Sequence, residues 1–335
     1  MKKISLILIL IISTTFLFAG SYAGDFMAIG AGVRALGMGG AYASIADDGS
    51  AIYWNVAGLS KMKESEISLM HALLYKNLAT YDYFSFCQPL PNDVTIGFNW
   101  TRLSINDIPY FDEKYLVGTN IDQRILFPGL HLPGVPDDKF NSTDDLLQFG
   151  FSNHVHYDAN MGWIFFKIPT DFYIGGKIKY IKRSIYKNLG TGTGFDVGFI
   201  SVTPLAPIFD LEWLGDFNFG INMQDVGGTT ITWDTETDHQ DKILFNAKVG
   251  YSLTQPIPKY KTKLIFSIDN DYVYNKIHHY GFEYQYNKKI FARLGYFDKN
   301  WTTGVSVKVR SFFIDYAFVS NELGNSNRIG LRIRY

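Results

Sequence analysis

Cysteine, net charge and long apolar runs are what this 335-residue chain lacks. With Cys87 as its single cysteine, no internal disulfide can form. Cysteine usage then suits an exported or a cytosolic chain and does not choose between them. The formal net charge is −1, so no basic excess is present to hold a polyanion, and nucleic acid drops out as a partner. Beyond residue 24 no apolar run approaches the ~20 residues of a membrane-spanning helix. Such a chain can cross a bilayer only as a closed barrel, in which every backbone group in lipid is paired.

Aromatic residues are plentiful. The 27 Phe and 22 Tyr help bring the aromatic share to 16%, more than soluble proteins usually carry and in keeping with the interfacial girdles of outer-membrane barrels. The first residues have the form of an export signal: Lys2 and Lys3, an unbroken apolar run from Leu6 to Ile12 extended by Phe16 to Phe18, then small residues up to Ala23. Residues 1–23 are read as a cleaved signal peptide rather than a retained anchor helix, because the run is short and a small-residue site closes it. No cysteine lies nearby, which excludes a lipoprotein.

The remainder alternates with period two. Val94, Ile96, Phe98 and Trp100 point one way, and Thr95, Gly97, Asn99 and Thr101 the other. The same pattern recurs at Phe217–Met223, Phe245–Leu253, Tyr280–Tyr286, Ile290–Tyr296 and Phe312–Phe318. A strand with one apolar and one polar or glycine face is half buried. In a soluble sandwich the apolar face looks inward, and in a membrane barrel it looks out to lipid. The export signal, strand lengths near the ~9–11 residues of a tilted spanning strand, and a last segment, Arg328 to Tyr335, that alternates and ends on an aromatic favour the barrel.

The expected fold is all-β: an antiparallel transmembrane barrel of about 14 strands. The fourth strand is placed near 154–166 and the fifth near 172–183. Short turns at Pro89–Asn92, Ile168–Asp171, Asn287–Lys288 and Ser311 would face the periplasm, and the longer stretches 104–153 and 225–242 the outside. The link 202–215 is long on the periplasmic side and breaks that rule. Residues 104–153, with Pro109, Pro128, Pro133 and Pro136, read as one long external loop.

Residues 24–64 differ from the barrel, 65–335. Small residues crowd around Arg34, and no lipid-facing strand fits; the segment reads as a plug or hatch in the lumen. There Arg34 would pair with Asp47 or Asp48, because a charge in the lumen is tolerable only if paired or wet. Equally, the two aspartates could cap a short helix beginning near Ser50.

The run Gly32-Val33-Arg34-Ala35-Leu36-Gly37-Met38-Gly39-Gly40-Ala41, followed by Ala46-Asp47-Asp48 and Tyr53-Trp54-Asn55-Val56-Ala57-Gly58-Leu59, resembles the N-terminal signature of the PorV/PorQ family, which is similar to the FadL-like long-chain fatty-acid transporters of the outer membrane. The resemblance implies a barrel of about fourteen strands with an N-terminal hatch. It implies site residues Arg34, Gly37, Met38, Gly39, Gly40, Asp47, Asp48, Trp54, Asn55 and Gly58. The family has proline after the asparagine; Val56 stands there, which suggests a looser turn. The segments Gly194-Phe195-Asp196-Val197-Gly198, Gly281-Phe282-Glu283-Tyr284, Arg293-Leu294-Gly295-Tyr296 and Asp315-Tyr316-Ala317-Phe318 also resemble that family's strands.

Enzyme chemistry finds little foothold. Gly30-Ala31-Gly32-Val33-Arg34-Ala35 fits a loose dinucleotide pattern, but no βαβ unit surrounds it. His154, His156 and Asp158 share a strand face and could hold a metal, although such pairs on barrel strands are more often lumen or girdle residues. Asp269, Asp271, His278 and His279 read as solvated loop ends. The expected lumen charges, Asp196, Glu283, Arg293 and Asp315 with Lys177, Lys179, Lys308 and Arg310, are better read as a stabilising network than as a catalytic pair. No enzyme, cofactor or metal is expected. Three roles follow. The resemblance favours an accessory of type IX-like protein secretion, with secretion-machinery proteins and cargo as partners besides outer-membrane lipid. An alternative is a FadL-like channel for a hydrophobic small molecule, with Leu126, Phe127, Leu130 and Leu132 as a greasy acceptor. The third is a closed structural barrel.

Overall fold

The computed structural model describes residues 23–112, 136–160, 167–272 and 277–335. Most of the segment read as an export signal and the cluster Leu126, Phe127, Leu130 and Leu132 lie outside them. Seven strands follow the hatch: β1 (Glu66–Leu74), β2 (Ala79–Pro89), β3 (Val94–Tyr110), β4 (Asp138–Asn160), β5 (Lys167–Ile185), β6 (Asn188–Pro204) and β7 (Asp216–Gln224). A small hairpin, β8 (Thr229–Trp233) with β9 (Gln240–Ile243), leans on β6. Seven more complete the wall: β10 (Asn246–Ile257), β11 (Thr262–Asp271), β12 (Ile277–Tyr286), β13 (Ile290–Phe297), β14 (Asn300–Val309), β15 (Phe312–Val319) and β16 (Ser326–Arg334). Neighbours pair antiparallel throughout; β7 bridges to β10 in register Gly220↔Gly250, and β1 closes on β16 with Glu66↔Arg334. The result is a closed barrel of 14 strands with the β8–β9 hairpin outside the count.

Closure removes every open edge, which is what lets a sheet sit in lipid. The faces fall as the alternation requires. Phe151, Ile178, Ile314 and Ile329 are more than half exposed on the outside, while Thr95, Asn99 and Thr101 of β3 are buried within. Both ends of the barrel domain, Ser65 and Tyr335, bond to each other at one rim. That rim also carries the tight turns at 287–289 and 310–311, so it is taken as the periplasmic side.

Several boundaries need correction. Residues 104–153 are not one loop: β3 continues to Tyr110 past a bulge between Ile105 and Ile108, and β4 begins at Asp138. Leu147, Phe149 and Phe151 do alternate against Gln148, Gly150 and Ser152, but the acidic pair Asp144-Asp145 and a side-chain-poor lumen face disguised the strand. Beyond the bilayer both faces meet water, so the period fades where the wall of β3–β6 stands tallest. The fourth strand therefore starts well before residue 154. Ile168–Asp171 is not a turn but the beginning of β5, and 225–242 is not plain loop but holds the β8–β9 hairpin. Link 202–215 is long on the periplasmic rim as expected, with a helical turn at Ala206–Phe209.

Candidate functional site: the filled lumen and its two vestibules

Residues 23–62 fill the barrel interior. They contain only short turns: 3-10 turns at Asp25–Ala28 and Val56–Lys61 and helices at Val33–Gly37 and Ala51–Trp54. The wall makes room by offering glycine where the hatch passes. A Cβ added at Gly198 would lie 2.2 Å from Asn55 Oδ1, at Gly220 2.3 Å from the Ala43 carbonyl oxygen, and at Gly295 2.2 Å from Gly39 N. Gly97, Gly150, Gly281, Gly304 and Gly330 likewise face hatch atoms at about van der Waals distance or closer. The hatch supplies its own glycines at the tightest corner: Gly39 and Gly40 take φ of 66° and 77°, open to glycine without strain. Gly37 abuts Gly304, and Met38 is fully buried against Gly281. Gly58 could carry no side chain, because its Cβ would sit 2.3 Å from the Ala46 carbonyl oxygen.

Arg34 is the electrostatic centre. Its Nε and Nη2 donate to both oxygens of Glu283 on β12, at 2.8 and 3.0 Å, a bidentate geometry. Its Nη1 donates to the Tyr42 hydroxyl (2.9 Å) and contacts Asp47, with Asp48 at 3.7 Å. From Glu283 the network runs on through Arg293 (2.5 Å), Ser306, Asp315 and Arg332 (2.7 Å). Arg332 and Tyr42 both reach Asp48, at 3.4 and 2.8 Å, which closes the ring on the hatch. The two uses foreseen for the acidic pair coexist. Asp48 Oδ1 also accepts from the Ser50 amide (3.0 Å) and hydroxyl (2.6 Å), fixing the start of helix Ala51–Trp54. Burial pushes the Asp47 carboxyl up, but Arg34, with Lys61, Lys263 and Arg334, outweighs it and holds the group well below the usual carboxylate range.

On the opposite wall, Lys177 donates to the Ile52 and Tyr53 carbonyls (2.7 and 2.9 Å), completing the end of that helix. It shares Asp196 with Lys179, at 3.2 and 2.8 Å. Asn55 Nδ2 donates to the Ala43 carbonyl (2.6 Å), while its Oδ1 accepts from Ala57 N (3.2 Å). Trp54 donates to the Ala31 carbonyl (2.6 Å) and packs edge-on against Tyr42 and Tyr53. The turn at Val56 is not loose: Val56 is fully buried against Gly150, Gly175 and Gly198, and Asn55 caps it.

Other expectations change place. Asp269 is no solvated loop end, since it is buried and accepts from the Tyr42 and Ala43 amides at 2.7 and 2.6 Å. His279 contacts the Gly39 carbonyl oxygen at 2.6 Å, and Asp271 binds Lys248 at 2.7 Å. Only His278 keeps an exposed position, beside Asn270. Arg310 does not join the lumen network: it occupies the β14–β15 turn with φ 54°. His154 and His156 both meet Asp171 across β4 and β5 (2.9 and 2.8 Å).

Hollows remain on each side of the hatch. On the periplasmic side lies a cavity of about 550 Å³ walled by Arg34, Arg293, Arg332, Arg334 and Phe313. On the outer side lie one of about 290 Å³, beside Met27, Tyr53 and Trp54, and one of about 220 Å³ between Ile29, Leu74, Tyr75, Phe297 and Val319. Arg328 lines the last. It is 4% exposed, its Nη1 meets Ser326 Oγ at 2.8 Å, its Nε has no partner, and no carboxylate among the described residues comes within 4.0 Å. Arg328 and the girdle of lumen glycines were overlooked in the sequence. The signal for the girdle was present, as ten of the fourteen wall strands carry an inward glycine; Arg328 looked like any other polar-face residue.

No family model matches the chain, and no curated protein matches it. Among solved structures the chain is similar to the Ralstonia pickettii toluene transporter TbuX, at 11% identity over 91% of this chain and 98% of that one, with a TM-score of 0.47. It is similar to the Pseudomonas putida toluene transporter TodX, at 11% identity over 90% and 96%, also with a TM-score of 0.47. The KdgM porin matches at 7% identity over 81% and 99%, with a TM-score of 0.36. The barrel assignment rests on the unbroken strand ladder rather than on these likenesses.

Proposed function

We propose that this protein is a non-catalytic outer-membrane transporter for small amphipathic anions, an apolar body with a single carboxylate or similar group, which enter from outside and pass a displaceable hatch. Arg328 carries this reading. A buried cation without a counter-charge is costly, and such groups are normally paired or hydrogen-bonded. Here the missing charge faces a pocket lined by Ile29, Leu74, Phe297 and Val319, with Asn321, Ser326 and Asp25 also in its lining and Asp25 not within ion-pair distance. A largely apolar pocket with a few placed polar groups is the usual form of a small-molecule site. An engineered cavity of about 150 Å³ holds benzene, so about 220 Å³ suits benzoate.

The test is calorimetric titration of the detergent-solubilised protein with benzoate and with benzyl alcohol. Benzoate is expected to bind, benzyl alcohol at least tenfold more weakly, and Arg328→Met to erase the difference. Equal binding of the two, or no effect of Arg328→Met, refutes the reading.

A second reading, an accessory of protein secretion of the PorV/PorQ type, is favoured by the hatch itself: the residues of the resemblance are those that lock the lumen. A barrel that never opens would serve as a docking platform. Loss of the gene would then strand cargo in the periplasm while leaving benzoate entry unchanged.

A further inference from the structure

We infer that the periplasmic vestibule is a second, distinct binding site, for an organic dianion of the phosphate monoester kind. The inference does not depend on transport: it concerns the inner side of the hatch and holds whether or not the lumen opens.

The vestibule is walled by cations far in excess of its carboxylates. Lys261, Lys263, Lys288 and Lys308 line it, and none has a carboxylate within 4.0 Å among the described residues. Arg34, Arg293, Arg332 and Arg334 line it too. Asp47 is the only carboxylate in the lining. The carboxylates that hold the four arginines from behind, Asp48, Glu66, Glu283 and Asp315, still leave an excess of three positive charges.

Two details point to a ligand rather than to a solvated charged surface. First, Arg293 is 4% exposed, spends its Nε on Glu283 and its Nη1 on Ser306, and leaves Nη2 buried with no partner in the wall of the cavity. A buried donor left unmade costs roughly 1–3 kcal/mol. Second, Lys308, Arg332 and Arg334 crowd one ring: they stand 5.0, 4.6 and 5.2 Å from the centroid of Phe313. Like charges held this close repel, and of the three only Lys308 lacks a carboxylate. An oxyanion between Lys308, Lys263 and Arg293 would relieve both. Phe291 and Phe313, their rings tilted 45° to each other, supply an apolar wall beside it, and about 550 Å³ leaves space for a body of one or two rings. The outer pocket, with its single arginine, suits a monoanion; three excess charges suit a dianion.

The probe is 1-naphthyl phosphate, with inorganic phosphate, 1-naphthalenesulfonate and 1-naphthol for comparison, titrated into the full-length protein in detergent. The naphthyl phosphate is expected to bind at least tenfold more tightly than each of the other three. Lys263→Gln/Lys308→Gln is expected to weaken it at least tenfold. Continued burial of Cys87 against a maleimide shows that this variant keeps its hatch. Arg328→Met is expected to leave vestibule binding intact, which separates this site from the outer pocket. Unchanged affinity in Lys263→Gln/Lys308→Gln, or naphthyl phosphate binding no better than 1-naphthol or inorganic phosphate, overturns the inference.

Discussion

Removing Arg34 should release the hatch without dissolving the barrel, and the chain carries its own reporter. Cys87, the single cysteine, points into the lumen from β2, is fully buried, and lies with its sulfur 3.8 Å from the Gly49 carbonyl oxygen. A maleimide can reach it only when the loop Asp47–Gly49 moves. Arg34→Ala takes away the bidentate bond to Glu283 and the contact to Asp47. Breaking a buried pair costs about 3–5 kcal/mol. Glu283 would keep Arg293 and Gln285, each at 2.5 Å, so this loss belongs near ~3 kcal/mol. At ~1.4 kcal/mol per decade, labelling of Cys87 should quicken about 100-fold. Glu283→Ala should be worse, because it deprives Arg293 of its only carboxylate; near ~5 kcal/mol the acceleration passes a thousandfold. The assay is the labelling rate of the purified protein, with heat-modifiable migration on gels as proof that the barrel is intact. Labelling of Arg34→Ala within twofold of the parent rate, or slower than in Arg34→Ala when Glu283 is removed, would refute the reasoning.

Two more outcomes follow from the same geometry. Gly198→Ala and Gly220→Ala each place a Cβ 2.2–2.3 Å from hatch atoms and should speed Cys87 labelling at least tenfold, whereas at Gly176 the nearest atom is 3.4 Å away and Gly176→Ala should change nothing. The ion lock should also depend on acid. The Asp47 carboxyl is held below its unfolded value of 3.8, so its contribution is complete above that pH and is lost as pH falls toward the folded value. Labelling measured with an acid-tolerant thiol reagent should therefore stay flat from pH 7 to about pH 4 and rise below it; a rise already at pH 6 would contradict this.

The barrel was legible because its signal is additive. One amphipathic strand means little, but fourteen in series leave few alternatives, and the inward polar faces are where the alternation placed them. The hatch showed as an absence of strand pattern, and Arg34, Asp47 and Asp48 declared themselves as charges needing partners. What failed has one physical cause. Period two is imposed by a boundary between two solvents, and where β3 and β4 rise out of the bilayer that boundary is gone. Asp269 and His279 were misjudged for a related reason: a polar residue on the lumen face reads alike whether it meets water or a hatch amide. Arg328 escaped notice because the lack of a partner is a property of space, invisible along the chain.

How the hatch is held decides whether it can move. Part of its apolar core is its own: Tyr42 packs on Trp54 and Trp54 on Tyr53, with Trp54 and Tyr53 tied to the Ala31 and Met27 carbonyls of the same segment. Against the wall it presents backbone and the side chains of Val33, Met38, Val56 and Leu59 to glycine, and charge to charge. Between these two kinds of contact the consequences of withdrawal differ. Apolar surface pulled from a core loses about 25 cal/mol per Å² with nothing in exchange, whereas an amide or carboxylate leaving its partner is taken up by water, so that a typical hydrogen bond contributes only about 1 kcal/mol net. A plug greased to its barrel would be fixed in place. This hatch lies between the two cases: part of its core is its own, part packs on wall glycines, and the ion pairs add to what its displacement, as proposed above, would cost. The ladder is continuous between every pair of neighbouring strands at the level of the hatch, so among the described residues no side door through the wall competes with that motion. On the transport reading proposed above, a molecule held by Arg328 would reach the periplasm only when the Arg34 ring lets go.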